Sequence, residues 1–304
     1  SGYPVLAASA SWEASPSGGG DLVVRVRQTQ PATPEMPHFT LPVDVEAAWP
    51  GGAVETRRFV LSGPAAEWRL HGAAEPERWR VDPGTWLVAR VEETRPREAW
   101  ERQLAADPRV TGRILAARAL AKEGPAAAPA LGRAVREDAS HDVRAAAAKA
   151  LGEAGGRAAA ASIVAAAGDT DSRVRTAVFA ALGAFPPAWS ADALLAGLAD
   201  PSDYAAAEAA SALGRTRDPR AFDALVAALA RDSHRDVVRR EAVNGLAALG
   251  DARGAEVVLP YTAYAWGKGI QHRLRHAALD AVVKLDPLGA ATRETVLALL
   301  ADPY

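Results

Sequence analysis

The segment GDTDSRVRTAVFAALGAF, residues 168–185, carries Asp169, Arg175 and Leu182, and the same residue types stand 31 positions earlier as Asp138, Arg144 and Leu151. A further 31 positions back are Asp107, Arg113 and Leu120. A fixed period of this length marks stacked units, each of which buries its apolar face only against its neighbours. Each Asp falls in a turn, where its carboxylate can cap the helix that follows. The Arg six residues on then faces the equivalent Asp of a neighbouring unit. The expectation is a structural ladder made of Asp107, Arg113, Asp138, Arg144, Asp169 and Arg175. Asp200 keeps the register, Ala206 breaks the arginine series, and Arg239 and Arg275 resume it at longer spacing. A row of arginines on one helical face is alternatively a surface for an acidic partner, but each Arg arrives with its own Asp, which favours the ladder. Leu120, Leu151, Leu182, Leu213 and Leu246 are expected in the core, and the small residues around them (Ala145 to Ala148, Ala205 to Ala207) permit close helix approach.

Outward from this segment, the apolar spacing after residue 95 is 3 and 4, the signature of amphipathic helices. Helix pairs recur, with second helices reading VTGRILAARAL, HDVRAAAAKAL, SRVRTAVFAAL, SDYAAAEAASAL, DVVRREAVNGL and HRLRHAALDAV. Residues 95–304 therefore read as an α-solenoid of about six helix pairs plus a final helix. The step of 31 to 36 residues fits compact HEAT-like repeats, and the Trp, Gly, Tyr and Pro pattern of tetratricopeptide repeats is missing.

Before residue 95 the pattern changes to alternation of apolar and polar residues. DLVVRVRQTQ, FTLPVDVEAAW, RRFVLSG and TWLVARVEE read as strands, separated by the turn segments SPSGGG, WPGG and VDPG. Five tryptophans (Trp12, Trp49, Trp68, Trp79, Trp86) fall here, as expected where aromatics fill the space between two sheets. Residues 1–94 are expected to form an antiparallel β-sandwich of about seven strands, in the size range of an immunoglobulin-like module.

A length of 304 residues suggests about two domains. The net charge of -2, with Lys and Arg dispersed, argues against a nucleic-acid surface, and against a DNA-repair HEAT enzyme, which needs a basic concave face. Cysteine is absent, which excludes disulfides and thiolate metal sites. No signal peptide or apolar run long enough to span a membrane is visible. The cytoplasm is thus the default compartment, with no membrane partner expected. The chain begins at Ser1 without an initiator Met, as expected of a processed protein or a fragment.

A search for reactive groups starts with the six histidines. His38, His71, His141 and His234 stand alone. His272 and His276 share one helical face at the spacing zincins use, and Glu294 lies downstream where a third ligand could be sought. Arg273 occupies the position where a zincin places its general base, and Arg275 holds the ladder position of the sixth pair. The expectation is no metal site and no catalytic residue. There is no phosphate-binding glycine loop and no nucleophile elbow. One irregular patch, VLPYTAYAWGKGIQH, gathers Tyr261, Tyr264 and Trp266 beside Lys268. It is a candidate contact surface, weighed against the commoner case of aromatics packed over the last turns of a solenoid.

The order of segments resembles the back half of M1-family zinc aminopeptidases. In that family a Gly-x-Pro start and a Gln-x-Gln end mark a strand opening a β-sandwich. A Val-Asp-Pro strand closes it, and a Gln-Leu-x-x-Asp segment and a Gly-Arg-x-x-Ala-x-x-x-Leu helix begin the helical domain. The matching residues are Gly2 to Pro4, Gln28 to Gln30, Val81 to Pro83, Gln103 to Asp107 and Gly112 to Leu120. The resemblance spans essentially the whole chain. The family's Gly-x-Met-Glu-Asn loop and His-Glu-x-x-His are missing. The resemblance thus implies a noncatalytic C-terminal portion of a larger peptidase, with zinc held only in the parent's catalytic domain. That domain and the parent's peptide substrates would be its partners. The alternative is a free-standing scaffold that binds another protein.

Overall fold

The computed structural model describes residues 2–34, 37–263 and 272–300. Two compact units divide the chain between Gln103 and Leu104.

Among the described residues the first unit holds seven strands: β1 (Val5–Ala14), β2 (Gly20–Gln28), β3 (Leu41–Ala48), β4 (Val54–Leu61), β5 (Ala65–Gly72), β6 (Arg78–Val81) and β7 (Arg90–Thr94). They form a four-stranded sheet in the order β5-β2-β1-β7 and a three-stranded sheet in the order β4-β3-β6. Alternation decides which side chains go inward: Leu22, Val24 and Val26 of β2 meet Val43, Val45 and Ala47 of β3 in one buried cluster. Phe59 stacks on Trp68 with ring centroids 4.9 Å apart, and Trp12 meets Trp49 edge-on at 6.2 Å, each pair bridging the two sheets. The chain returns to Gly72 under the Trp49 ring, where any Cβ would lie 2.2 Å from it.

Two expectations for this unit need correcting. The sheets are not wholly antiparallel, because β7 runs parallel to β1, pairing Val5 with Arg90 and Ser9 with Thr94. Nor is TWLVARVEE one strand, and Trp86 does not fill the inter-sheet space: the residue is 81% exposed. The cause is Asp82, whose carboxylate accepts the amides of Trp86 (2.9 Å) and Leu87 (3.0 Å). With Asp82 and Thr85 both at positive φ, this folds the segment into a loop before Arg90 resumes extended structure.

Gln28 ties the connections together. Buried at the end of β2, it donates to the carbonyls of Phe39 (2.7 Å) and Gly63 (2.9 Å) and accepts from the Phe39 amide and from Gln30 Nε2. Gln30 in turn accepts the Val5 amide at 2.9 Å. A buried side-chain amide with all these partners satisfied pins three loops at once.

The helices are α1 (Arg97–Ala106), α2 (Val110–Ala121), α3 (Ala128–Glu137), α4 (His141–Ala154), α5 (Arg157–Ala165), α6 (Ser172–Leu182), α7 (Pro187–Gly197), α8 (Asp203–Thr216), α9 (Ala221–Ala228), α10 (Val237–Leu249), α11 (Gly254–Val258), α12 (His272–Leu285) and α13 (Ala290–Leu300). The strands end at Thr94 and the helices begin at Arg97, and the division between the compact units falls inside α1. The Arg95 guanidinium lies between the rings of Trp79 (4.2 Å) and Trp100 (4.5 Å) and donates to Gln103 Oε1, which holds the start of α1 to the strands.

In the second unit α2, α4, α6, α8, α10 and α12 form one layer, each packed on the next, and α3, α5 and α7 pack in sequence as another. Leu120, Leu151, Leu182, Leu213 and Leu246 are all buried, each stabilising by about 1.5–3 kcal/mol. Alanine supplies helix propensity without bulk. α8 and α10 meet glycine on glycine, where a Cβ at Gly214 would lie 2.1 Å from the carbonyl oxygen of Gly245. No described helix is long and apolar enough to cross a membrane.

Candidate functional site

A line of ion pairs joins successive repeats of the helical unit. Arg113, on α2, donates from Nε and Nη2 to the two carboxylate oxygens of Asp138 (2.7 and 3.0 Å), and from Nη1 to the backbone oxygen of Asp107 (2.7 Å). Arg144 does the same to Asp169 and to the Asp138 carbonyl. Arg175 repeats it on Asp200 and the Asp169 carbonyl. Each guanidinium thus grips the turn of its own unit and the carboxylate of the following one. The fork geometry of Arg suits both tasks, since its donors lie in one plane.

Each carboxylate also accepts a backbone amide: Arg109 to Asp107, Ser140 to Asp138, Asp171 to Asp169 and Ser202 to Asp200, at 2.8 to 2.9 Å. These amides belong to the N-cap residues of α2, α4, α6 and α8. The Asp therefore closes the turn just ahead of the helix instead of capping the free amides of its first turn, because it stands two residues before the N-cap. Asp171 is itself an N-cap, accepting the Arg173 amide.

Burial sets the energetics. The Arg175 and Asp200 side chains are 13% and 5% exposed, so the pair is largely removed from water. Burial pushes the Asp169 and Asp200 carboxyls up, but the hydrogen bonds from Arg144 and Arg175 and from the Asp171 and Ser202 amides outweigh it and hold both below the ordinary carboxylate range. The same bonds raise Arg144 and Arg175. Removing one member would leave its partner buried and uncompensated, at a cost of about 3 kcal/mol.

The line changes at the fourth unit. Ala206 stands where an Arg would be, and Arg231 stands 31 residues after Asp200, where an Asp would be. Arg231 reaches back to the carbonyls of Leu198 and Asp200 (2.8 Å each) and to Asp203 Oδ1 (3.1 Å). The connection persists with its polarity reversed. Spacing alone missed this because it looked for a conserved sign of charge; the 31-residue register of Arg231 was the available signal. Arg239 turns to its own unit, donating to the Leu229 carbonyl and pairing with Asp232 and Asp236. Arg275 Nε donates to the Thr262 carbonyl.

Tyr261 is half-buried in a single turn at Leu259–Thr262. Tyr264, Trp266 and Lys268, the rest of the candidate contact patch, lie outside the described residues. His272 and His276 are exposed on α12, and Glu294 is exposed on α13. Among the described residues no group of three or more His, Cys, Asp or Glu side chains is placed to hold a metal ion. The line of Asp and Arg uses its charges on one another, so its chemistry is that of joining units.

The family model describing HEAT repeats matches residues 98–186 and 191–282, together more than half of the chain. No curated protein matches the sequence. Among solved structures, Legionella pneumophila aminopeptidase A in complex with aspartic acid is similar over 94% of this chain, at 12% identity and a TM-score of 0.58. The chain spans 40% of that aminopeptidase. Escherichia coli YibA aligns with 67% of this chain and 75% of its own, at 20% identity and a TM-score of 0.48. The CpcE–CpcF complex of a Nostoc phycocyanin lyase aligns with 68% of this chain and 95% of its own, at 20% identity and a TM-score of 0.37.

Proposed function

Because the chain belongs to the HEAT-repeat family, we propose that it works as a noncatalytic structural region, and that the enzyme it serves is a zinc aminopeptidase of the M1 type. The observation that carries this reading is the fold likeness to the Legionella aminopeptidase, which runs through both units and covers 94% of the chain. The ordered motifs add support, since Gln28, Gln30 and Arg113 are the residues that tie loops and repeats together. In this reading the two-sheet unit, taken as immunoglobulin-like, links a metallopeptidase domain to the solenoid. The solenoid restricts access to short peptides, whose N-terminal residues the parent removes. Zinc sits in that other domain, the protein works in the cytoplasm, and neither nucleic acid nor membrane is a partner. The chain alone does not catalyse.

The test is hydrolysis of aminoacyl-chromogenic substrates by the chain with added zinc. No turnover is expected, and appreciable turnover overturns the reading. A gene whose reading frame encodes His-Glu-x-x-His upstream of these residues supports it. A second reading, a free-standing scaffold for another protein, is favoured by the HEAT repeats themselves, since stacked helix pairs present long surfaces for binding. It gains if that upstream segment is absent.

A further inference from the structure

We propose that His272 and His276 form a two-imidazole site for a late first-row divalent cation, with Cu2+ the tightest binder. This goes beyond the peptidase reading and does not depend on it. The two residues stand one turn apart on α12, so their side chains share a face. Both are exposed. Their rings meet edge-on at 78° with centroids 4.5 Å apart, and the two Nε2 atoms share a hydrogen bond at 3.2 Å, which a cation replaces once the donating ring takes its Nδ1–H form. Nitrogens 3.2 Å apart, each about 2.0–2.1 Å from a metal, subtend about 100° there, between square-planar and tetrahedral angles. The helix has therefore already set the span that adjacent coordination positions require.

The chemistry selects the cation. Imidazole suits Cu2+, Ni2+ and Zn2+, and affinity rises toward Cu2+, whereas Mg2+ and Ca2+ want oxygen donors. Each ring turns its Nε2 to the other ring rather than to a carboxylate. With no third ligand among the described residues, water completes the coordination shell. Arg273 and Arg275 flank the pair and lower the affinity for a dication. Exposed charges act through water and are screened, however, while two preoriented donor bonds are not. Arg273 also takes the position of a zincin's general base, so the site binds a cation without activating water for hydrolysis. Because the pair exists only while α12 is helical, bound metal stabilises the folded state.

The experiment uses the whole chain without an affinity tag, titrated calorimetrically with Cu2+ in a non-coordinating buffer. One equivalent is expected to bind, with His272→Gln and His276→Gln each weakening it at least tenfold and His234→Gln leaving it unchanged. On the unaltered chain, substoichiometric Cu2+ should broaden two imidazole resonances selectively, and these should be the two that the variants remove. Sequential assignment of the imidazole resonances on the unaltered chain identifies the two independently, so that arm stands even if a variant fails to fold. Unchanged affinity in either pair variant, or broadening spread over other histidines, overturns the site.

Discussion

Arg231 Nη2 donates to the backbone oxygen of Asp200 at 2.8 Å, from a position 31 residues further along the chain, where the repeat register would place an aspartate. In the three preceding units the equivalent carbonyl oxygens of Asp107, Asp138 and Asp169 are taken by Arg113, Arg144 and Arg175 of the same unit. The fourth unit has Ala206 at that place and receives the guanidinium from its neighbour instead. A turn carbonyl that needs a donor gets one in every case, and which unit supplies it changes.

This reversal predicts an energetic coupling. Ala206→Arg would bring a second guanidinium into a fully buried position beside Arg231, and is expected to be strongly destabilising. The double variant Ala206→Arg with Arg231→Asp rebuilds the arrangement of the earlier units, and should recover about 1–3 kcal/mol relative to the sum of the single changes. Urea unfolding of the two single variants and the double variant measures it; additive effects would contradict the reversed connection.

In the middle of the line, Asp169→Ala should cost about 3 kcal/mol by leaving the Arg144 guanidinium unpaired, and Arg144→Ala a similar amount. By contrast Lys149→Ala, whose pair with Glu153 is exposed on both sides, should stay within about 0.5 kcal/mol. Chemical denaturation followed by far-ultraviolet circular dichroism separates the two cases.

Acid should act through the same carboxylates. Asp169 and Asp200 have folded-state pKa values below their ordinary ones, so their contribution is fully present above the unfolded value of about 4 and is lost as pH falls through the folded values. Stability of the helical unit should therefore drop below about pH 4, and the drop should be shallower in Asp169→Asn. Denaturation midpoints taken from pH 6 downward test the sign.

Glycine where α8 meets α10 gives a steric prediction. Gly214→Ala places a methyl group 2.1 Å from the Gly245 oxygen and must part α8 from α10, so a loss of about 2 kcal/mol or more is expected. Gly168→Ala, with nothing within 4 Å of its Cβ and no positive φ, should be nearly neutral. Thermal unfolding of both variants compares them directly.

In the strand unit, Gln28→Ala removes four hydrogen bonds at once and leaves the Phe39 amide and the Gly63 carbonyl without the partner that Gln28 provides. A loss of about 2–4 kcal/mol is expected. Near-ultraviolet circular dichroism of the tryptophans of this unit reports it, and an unchanged midpoint would show that the hub is dispensable.

What the amino-acid sequence determined by itself is whatever depends on near neighbours along the chain. Alternating residues in β2 and β3 specify strands, spacing of 3 and 4 specifies helices, and a repeated Asp, Arg and Leu lines up successive HEAT units. In a solenoid each unit's neighbour in space is also its neighbour in sequence, so periodicity carries far. What only the tertiary structure decided is which distant groups come within bonding reach. The parallel pairing of β7 with β1, the Asp82 carboxylate that folds Trp86 outward, the hub at Gln28 and the reversed reach of Arg231 all depend on contacts that no local pattern encodes. Backbone preferences act over a few residues, whereas a hydrogen bond needs its partners within about 3 Å, and folding alone sets that distance.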